Sequence, residues 1–211
     1  MELFTHAVEL KAVTPNIDKV IEEACRTCYQ SHNLIKDGSA ERLFNQIVKQ
    51  SHHTSVTEHG SISVYITTDR ATMAQITRHR VGMSYSIESQ RYCNYSKGKF
   101  GEQVSFVVPY ELEDNDEAFH VWQCAMVQAE LHYFQMLKSG VAPEIARSVL
   151  PNSTLTHMYM TGNVASWRHF FKLRASGHAQ KDVKYVSALI LQAMLDGGVP
   201  AYFFDDIDFD Y

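Results

Sequence analysis

A chain of 211 residues, 45% hydrophobic and 20% charged, can bury a substantial core and shows no repeat or low-complexity tract. Its net charge of −5 excludes a protein that coats nucleic acid through bulk electrostatics, so an anion site must be built locally from positioned cations. MELFTHAVEL lacks the basic-then-apolar layout of a signal peptide, and no run has the length of a membrane span; the expectation is a cytoplasmic protein with no membrane partner and no nucleic-acid polymer as partner.

In chain order, the first dozen residues read as a strand, followed by helices over about 16–30 and 40–51. Cys25 and Cys28 form a CxxC on the first of these. No second CxxC completes a zinc site, and Val20, Ile21, Ala24, Cys25 and Cys28 follow a helical stripe, so the expectation is two reduced thiols on a buried face. Residues 60–69 alternate as a strand, and DRATMAQITRHR reads as a helix with RHR at its C-terminal end. A strand is expected over 102–109, then a long helix from Asn115 to Lys138 stopped at Gly140. A short helix in APEIARSVLP, a strand in STLTHMYMTG, and helices in VASWRHFFKLR and KDVKYVSALILQAMLDGG complete the pattern. The acidic, aromatic tail YFFDDIDFDY is read as disordered or as covering a neighbour's surface. Strands and helices mix without a βαβ rhythm, so the fold class is α+β, one domain over 1–211, with a central, mainly antiparallel sheet and flanking helices.

Three constellations carry chemistry. HHTSVTEHG gathers His52, His53, Glu58 and His59, but its order is not HExxH and nothing downstream completes a ligand set; a ligand-contacting loop is favoured over a metal centre, and no metal is expected. RHRVGMSYSIESQRY (78–92) holds three arginines and no lysine. Planar guanidiniums suit phosphate, although on a continuing helix Arg78 and Arg80 would diverge by about 200° and could not clamp one phosphate together; if the helix ends there, they serve two ligands or opposite ends of one. On VASWRHFFKLR, Trp167, Phe170, Phe171 and Arg174 share one face, so Arg174 needs a partner there, either a ligand or an internal acid. No GxG, P-loop or GxSxG occurs, and no cysteine sits beside a histidine as a nucleophile would. These residues alone support binding of a phosphorylated ligand and supply no reaction.

RHR followed by a serine and QRY resembles the signature of flavin-dependent thymidylate synthases. HHTSVTEH resembles that family's H-x-T/S-x-x-E-H element; Arg147 with Leu150-Pro151, Asn163, and FxxLRxxxHAQ (Phe170 to Gln180) resemble its C-terminal signature. CNYSKGKF is similar to its longer bacterial and phage members. The resemblance implies reductive methylation of dUMP to dTMP, with 5,10-methylenetetrahydrofolate giving the carbon, FAD the hydride and NADPH the reducing equivalents, in a homotetramer with shared active sites. It implies flavin contacts at His53, Ser55, Arg78, His79, Arg80, Asn163 and His169, with His53 also near the folate. It implies dUMP contacts at Gln75, Arg78, Ser89, Gln90, Arg91, Arg147 and Arg174, the last as the catalytic arginine at the uracil ring. RHR is separated from Ser89 by one residue more than is usual in the family, and the extra residue is placed near Gly82-Met83. Ile87 and Ala165 stand where relatives often carry Glu or Gln and Arg. The alternative is a non-catalytic nucleotide- or flavin-binding protein on the same fold.

Overall fold

The computed structural model describes residues 1–98, 101–112 and 114–209. Strands β1 (Glu2–Phe4), β2 (Ala7–Val13), β3 (Ser61–Asp69), β4 (Met83–Ile87), β5 (Ser105–Val107) and β6 (Leu155–Asn163) alternate with helices α1 (Ile17–Thr27), α2 (Ser39–Phe44), α3 (Arg70–Ile76), α4 (Asp116–Lys138), α5 (Pro143–Ala146), α6 (Val164–Arg174) and α7 (Lys181–Asp196). The class is α+β, as expected. One sheet has the order β2-β3-β6-β4 and a second pairs β1 with β5 in parallel. Ser63 bonds Thr161 and Thr67 bonds His157, so numbering rises along β3 as it falls along β6, and the two are antiparallel.

The chain separates into two compact units. One comprises Met1–Ala7, Ile66–Arg78 and Ser86–Met158; the other comprises Val8–Tyr65, His79–Tyr85 and Tyr159–Tyr211. In the first, Tyr95, Val104, Phe106, Met126, Tyr133 and Ala146 form a buried cluster under α4 and α5. The helix α4 runs as its pattern requires, with the Asn115 side chain accepting from Ala118 N–H at the start and Gly140 in a left-handed turn (φ 84°) beyond its end. In the second, Trp167, Phe170 and Phe171 of α6 are fully buried and pack edge-on or stacked on one another, with Phe204 against Phe171. Burying each such ring contributes about 1.5–3 kcal/mol.

The structure corrects several expectations. The N-terminal strand is two strands in different sheets, because His6 turns in and is buried between β1 and β2. The second helix is α-helical only to Phe44 and continues as a π-helix over Asn45–Gln50. Cys25 is buried, but α1 ends before Cys28, which is exposed. The strand expected over 102–109 spans only Ser105–Val107. The tail packs on its own unit as far as Phe209: Asp206 pairs with Arg168, Asp205 with Lys49, and Phe209 meets Phe171. Asp210 and Tyr211 lie outside the described residues.

Candidate active site

The six residues from Gln75 to Arg147 that were expected at dUMP lie in the first unit. The helix α3 opens on Asp69, whose carboxylate accepts from Thr72 N–H at 2.7 Å, and closes at Thr77, before RHR. Arg78, His79 and Arg80 therefore leave the helix instead of decorating its end, which removes the divergence a helical course would impose. Gln75 is half-buried on the last turn, and its carbonyl accepts from Arg78 N–H at 3.3 Å; the Arg78 side chain is exposed. After β4, Ser89 nucleates a tight turn. Its carbonyl accepts from Tyr92 and Cys93 N–H, and its hydroxyl accepts from Arg91 N–H at 3.3 Å. Gln90 points inward, only 7% exposed, with its side chain against Tyr95, and its buried amide nitrogen makes no hydrogen bond of ordinary geometry among the described residues. A buried donor without an acceptor marks a place where an outside acceptor would be stabilised.

Glu144 gathers two arginines in this unit. Its carboxylate accepts from Arg91 Nε at 2.9 Å, and its carbonyl accepts from Arg147 Nε at 3.1 Å. Pro143 at the start of α5 presets the short helix that holds Glu144 and Arg147 three residues apart. Both arginines are exposed, and no described residue engages their Nη edges. Two guanidiniums anchored through Nε with their outer edges open are suited to one phosphate.

His53, Ser55, His79, Arg80, Asn163, His169 and Arg174 lie in the second unit. His79 is 7% exposed, edge-on to His169 at 5.7 Å and Phe170 at 5.0 Å. Arg174 Nε donates to its Nε2 at 2.8 Å, which fixes a neutral ring with its proton on Nδ1. Burial, then the Arg174 charge, then His169, hold the imidazole down at about 4. The Tyr85 hydroxyl donates to the His79 carbonyl and is itself pushed up to about 12 by burial, with Arg174 pulling the other way. Arg174 is four residues after Phe170, so α6 delivers both to the same imidazole.

Asn163 caps α6, its Oδ1 accepting from Ser166 N–H at 2.8 Å, and Ser166 Oγ donates to the Val81 carbonyl at 3.2 Å. The segment after RHR is thereby tied to the start of α6. Gly82 sits there with φ 69°, and a Cβ on it would fall 2.0 Å from Ser166 Oγ. Only glycine meets both demands. Arg80, His53 and Ser55 are exposed. His53 and Ser55 border an apolar cleft of about 120 Å³ with Cys25, Tyr29 and Ile47. His52, His53, Glu58 and His59 are all exposed and do not converge as metal ligands among the described residues.

Sequence reasoning missed Glu144, Tyr85 and Arg168. Glu144 was readable as the residue three before Arg147 on one short helix. For Tyr85 the one local signal is the brief alternation Met83, Tyr85, Ile87 of β4, too short to stand out in a segment whose serines and arginines suggested a loop. For Arg168 no local signal existed, since its partner Asp206 lies 38 residues on.

An α+β chain with two exposed guanidiniums anchored on Glu144 in one unit and a neutral histidine–arginine pair in the other has groups suited to the class of proteins that bind phosphorylated ligands. Comparison with known proteins narrows that class. The family model described as thymidylate synthase complementing protein matches residues 9–196. The flavin-dependent thymidylate synthase of Mycobacterium avium (strain 104) is 32% identical over 203 residues, covering 88% of this chain and 78% of the relative. Among solved structures, the UMP/dUMP methylase PolB from Streptomyces cacaoi, bound with 5-Br dUMP, superposes with a TM-score of 0.79 at 26% identity over 93% of each chain. Thymidylate synthase ThyX from Helicobacter pylori, complexed with FAD and dUMP, gives 0.75 at 25% identity over 95% of this chain and 99% of that one. The chain belongs to the flavin-dependent thymidylate synthase family.

Proposed function

We propose that residues 1–211 form one catalytic domain of a flavin-dependent thymidylate synthase that converts dUMP to dTMP. The observation that carries this reading is the pairing of Arg174, at the end of α6, with His79 of the RHR segment, in a chain whose family match spans residues 9–196. The relatives' names supply the substrate and cofactor: one solved neighbour is complexed with FAD and dUMP, another is a UMP/dUMP methylase. The residues present fit both. Arg91 and Arg147 offer open Nη edges to the nucleotide phosphate, and the buried amide of Gln90, beside Tyr95, offers a donor with no acceptor of ordinary geometry among the described residues. The cleft beside His53 and Ser55 is too small for a whole dinucleotide and sized for one end of it.

When bound, FAD in its reduced form supplies the hydride that turns a transferred methylene into a methyl group, leaving tetrahydrofolate. The chain's residues position and polarise. Arg174, held by His79, stabilises negative charge developing on the uracil ring and so makes C5 more nucleophilic, as an oxyanion hole does for an acyl group. His79 enters the site as a neutral acceptor, so it aligns the guanidinium without cancelling its charge. Arg78, His79, Arg80, Asn163 and His169 would hold the flavin, and Gln75, Ser89, Gln90, Arg91 and Arg147 would hold the nucleotide. Methylenetetrahydrofolate and NADPH are the co-substrates, with His53 near the folate. The exposure of Arg78, Arg80, Arg91, Arg147 and His53 supports a homotetramer with shared sites, since such groups need more than their own surroundings to enclose a ligand. No helix among the described residues is long and apolar enough to cross a membrane, and we place the enzyme in the cytoplasm.

The deciding assay incubates the protein with dUMP, methylenetetrahydrofolate, FAD and NADPH under low oxygen and measures dTMP, with UMP offered in parallel. Formation of dTMP is expected. Flavin binding without product would favour the non-catalytic alternative, and a protein that binds no FAD would overturn the reading.

A further inference from the structure

Directly after the SQRY turn, Tyr95 is only 6% exposed, with its ring in the cluster under α4 and tilted against Tyr133 at 5.8 Å. Its N–H donates to the Tyr133 hydroxyl at 3.4 Å, so ring and backbone are both fixed in the core of the first unit. Its hydroxyl reaches back seven residues along the chain and donates to Glu88 Oε1 at 2.9 Å. Glu88 is itself tied to β6, its N–H donating to the His157 carbonyl at 2.9 Å.

Glu88 and Tyr95 stand on either side of Ser89, Gln90 and Arg91, so their bond staples the turn that carries those three residues. The Gln90 side chain lies against the same hydroxyl. Burial, and then the Glu88 carboxylate, push the Tyr95 phenol up, so it remains a donor at any pH at which the protein works. Glu88 and Tyr95 also border a cavity of about 350 Å³, with Glu2, Ser105 and His157 in its lining. Packing alone therefore does not hold the carboxylate: released from Tyr95, it has room to swing away from the turn. The charge-assisted bond is what keeps it there.

We propose that Tyr95 is a positioning residue for nucleotide binding: its hydroxyl, closed on Glu88, presets the turn from which Ser89, Gln90 and Arg91 reach dUMP. This role rests on the nucleotide reading of that turn. Tyr95 acts through its neighbours and meets no substrate atom itself. Without the staple, the ordering of the Gln90 and Arg91 side chains falls on the binding step, which for two long side chains weakens affinity about tenfold. Turnover at saturating nucleotide stays as it was, because the same bound geometry is reached once dUMP is in place.

The test uses the full-length, FAD-loaded protein and its Tyr95→Phe, Glu88→Ala, Glu88→Gln and Met126→Ala variants. Met126→Ala opens the same core without touching the staple. Affinity for dUMP is read by calorimetry and kcat by dTMP formation. The turn itself is followed without nucleotide, by hydrogen exchange at the Tyr92 and Cys93 N–H groups bonded to the Ser89 carbonyl. Tyr95→Phe and Glu88→Ala should each weaken dUMP binding about tenfold, and the double variant should be no weaker than either. Both should speed exchange at the turn and leave kcat and FAD affinity unchanged. Glu88→Gln keeps an acceptor and should retain most of the affinity, whereas Met126→Ala should melt earlier and bind dUMP as the wild type does. Glu88→Ala leaves the ring in the core, so it decides the matter where loss of the phenol prevents folding. Wild-type dUMP affinity in both staple variants, or a loss no greater than that of Met126→Ala, overturns the proposal and leaves the nucleotide reading standing. A wild type that binds no dUMP overturns both.

Discussion

Protonating His79 should destabilise the fold, and the size of the effect follows from its surroundings. An imidazole that titrates near 6.5 in the unfolded chain is held at about 4 in the folded one by burial, by Arg174 and by His169. Between those values the unfolded state binds a proton that the folded state refuses. Stability is therefore complete above pH 6.5 and falls as pH drops through 6.5 toward 4, by roughly 3 kcal/mol at the low end. The group is 7% exposed, so solvent screens little of this.

The assay is urea unfolding of wild type and His79→Gln at fixed protein concentration between pH 4.5 and 8. Glutamine keeps an acceptor for Arg174 Nε and cannot titrate. The chain has 11 histidines, so the difference between the two proteins, not the wild-type slope alone, isolates His79. The wild type should lose more stability than the variant below pH 6.5, and the two should run parallel above it. Arg174→Met removes one of the three causes, so the His79 ring, followed by NMR, should titrate higher than in wild type and still below 6.5. Identical slopes for wild type and His79→Gln, or a His79 ring titrating at 6.5 in the wild type, would refute the buried, neutral assignment.

Arg174→Ala should leave flavin binding intact and lower dTMP formation by roughly 10²–10³-fold, the scale for losing one preorganised charge-stabilising donor; a normal single-turnover rate would remove its catalytic role. Gly82→Ala should cost about 1–3 kcal/mol in thermal unfolding, from the 2.0 Å approach to Ser166 Oγ and the left-handed φ together. Adding Ser166→Gly should recover the part due to the clash and not the part due to φ; a wild-type melting point for Gly82→Ala alone would show that the two segments are not pressed together. Asp206→Asn should destabilise by about 3 kcal/mol because it leaves Arg168, 7% exposed, without its counter-charge, whereas Asp205→Asn, at a carboxylate 55% exposed, should change stability by less than about 1 kcal/mol. Equal melting points for those two variants would contradict the ranking.

The elements that were legible in the sequence are those whose signal is local. The helix α4 repeats its apolar residues at Phe119, Trp122, Met126 and Tyr133, is capped by Asn115 and is followed by a glycine in the left-handed region, so its limits were read nearly to the residue. The strand β4 was not legible. Its alternation is short, and what makes it a strand is pairing with β6, more than 60 residues later in the chain. The tail misled for a related reason: acids with interleaved aromatics look solvated until Arg168 and Phe171 are brought to them by the fold. At the site, the pattern on α6 put Arg174 on an aromatic face correctly and framed its partner as a ligand or an acid. The partner found is an imidazole 95 residues earlier, inside the RHR motif itself, a pairing that no spacing along α6 encodes.

The contrast between the two arginines of α6 explains why that partner suits a catalytic site. Arg168 meets a carboxylate through two short bonds, which satisfies the guanidinium and cancels its charge; such a pair fixes the tail and offers nothing to a reaction. Arg174 is oriented by a neutral nitrogen acceptor. That contact fixes the guanidinium in direction and leaves its positive charge uncancelled by the imidazole. For the arrangement to persist the imidazole must stay unprotonated, and its low proton affinity results from burial and from the arginine it orients. The two groups therefore act on each other: the arginine adds to burial in keeping the histidine neutral, and the neutral histidine keeps the arginine aligned. A carboxylate in place of His79 would hold Arg174 more tightly and cancel the charge that its proposed role requires.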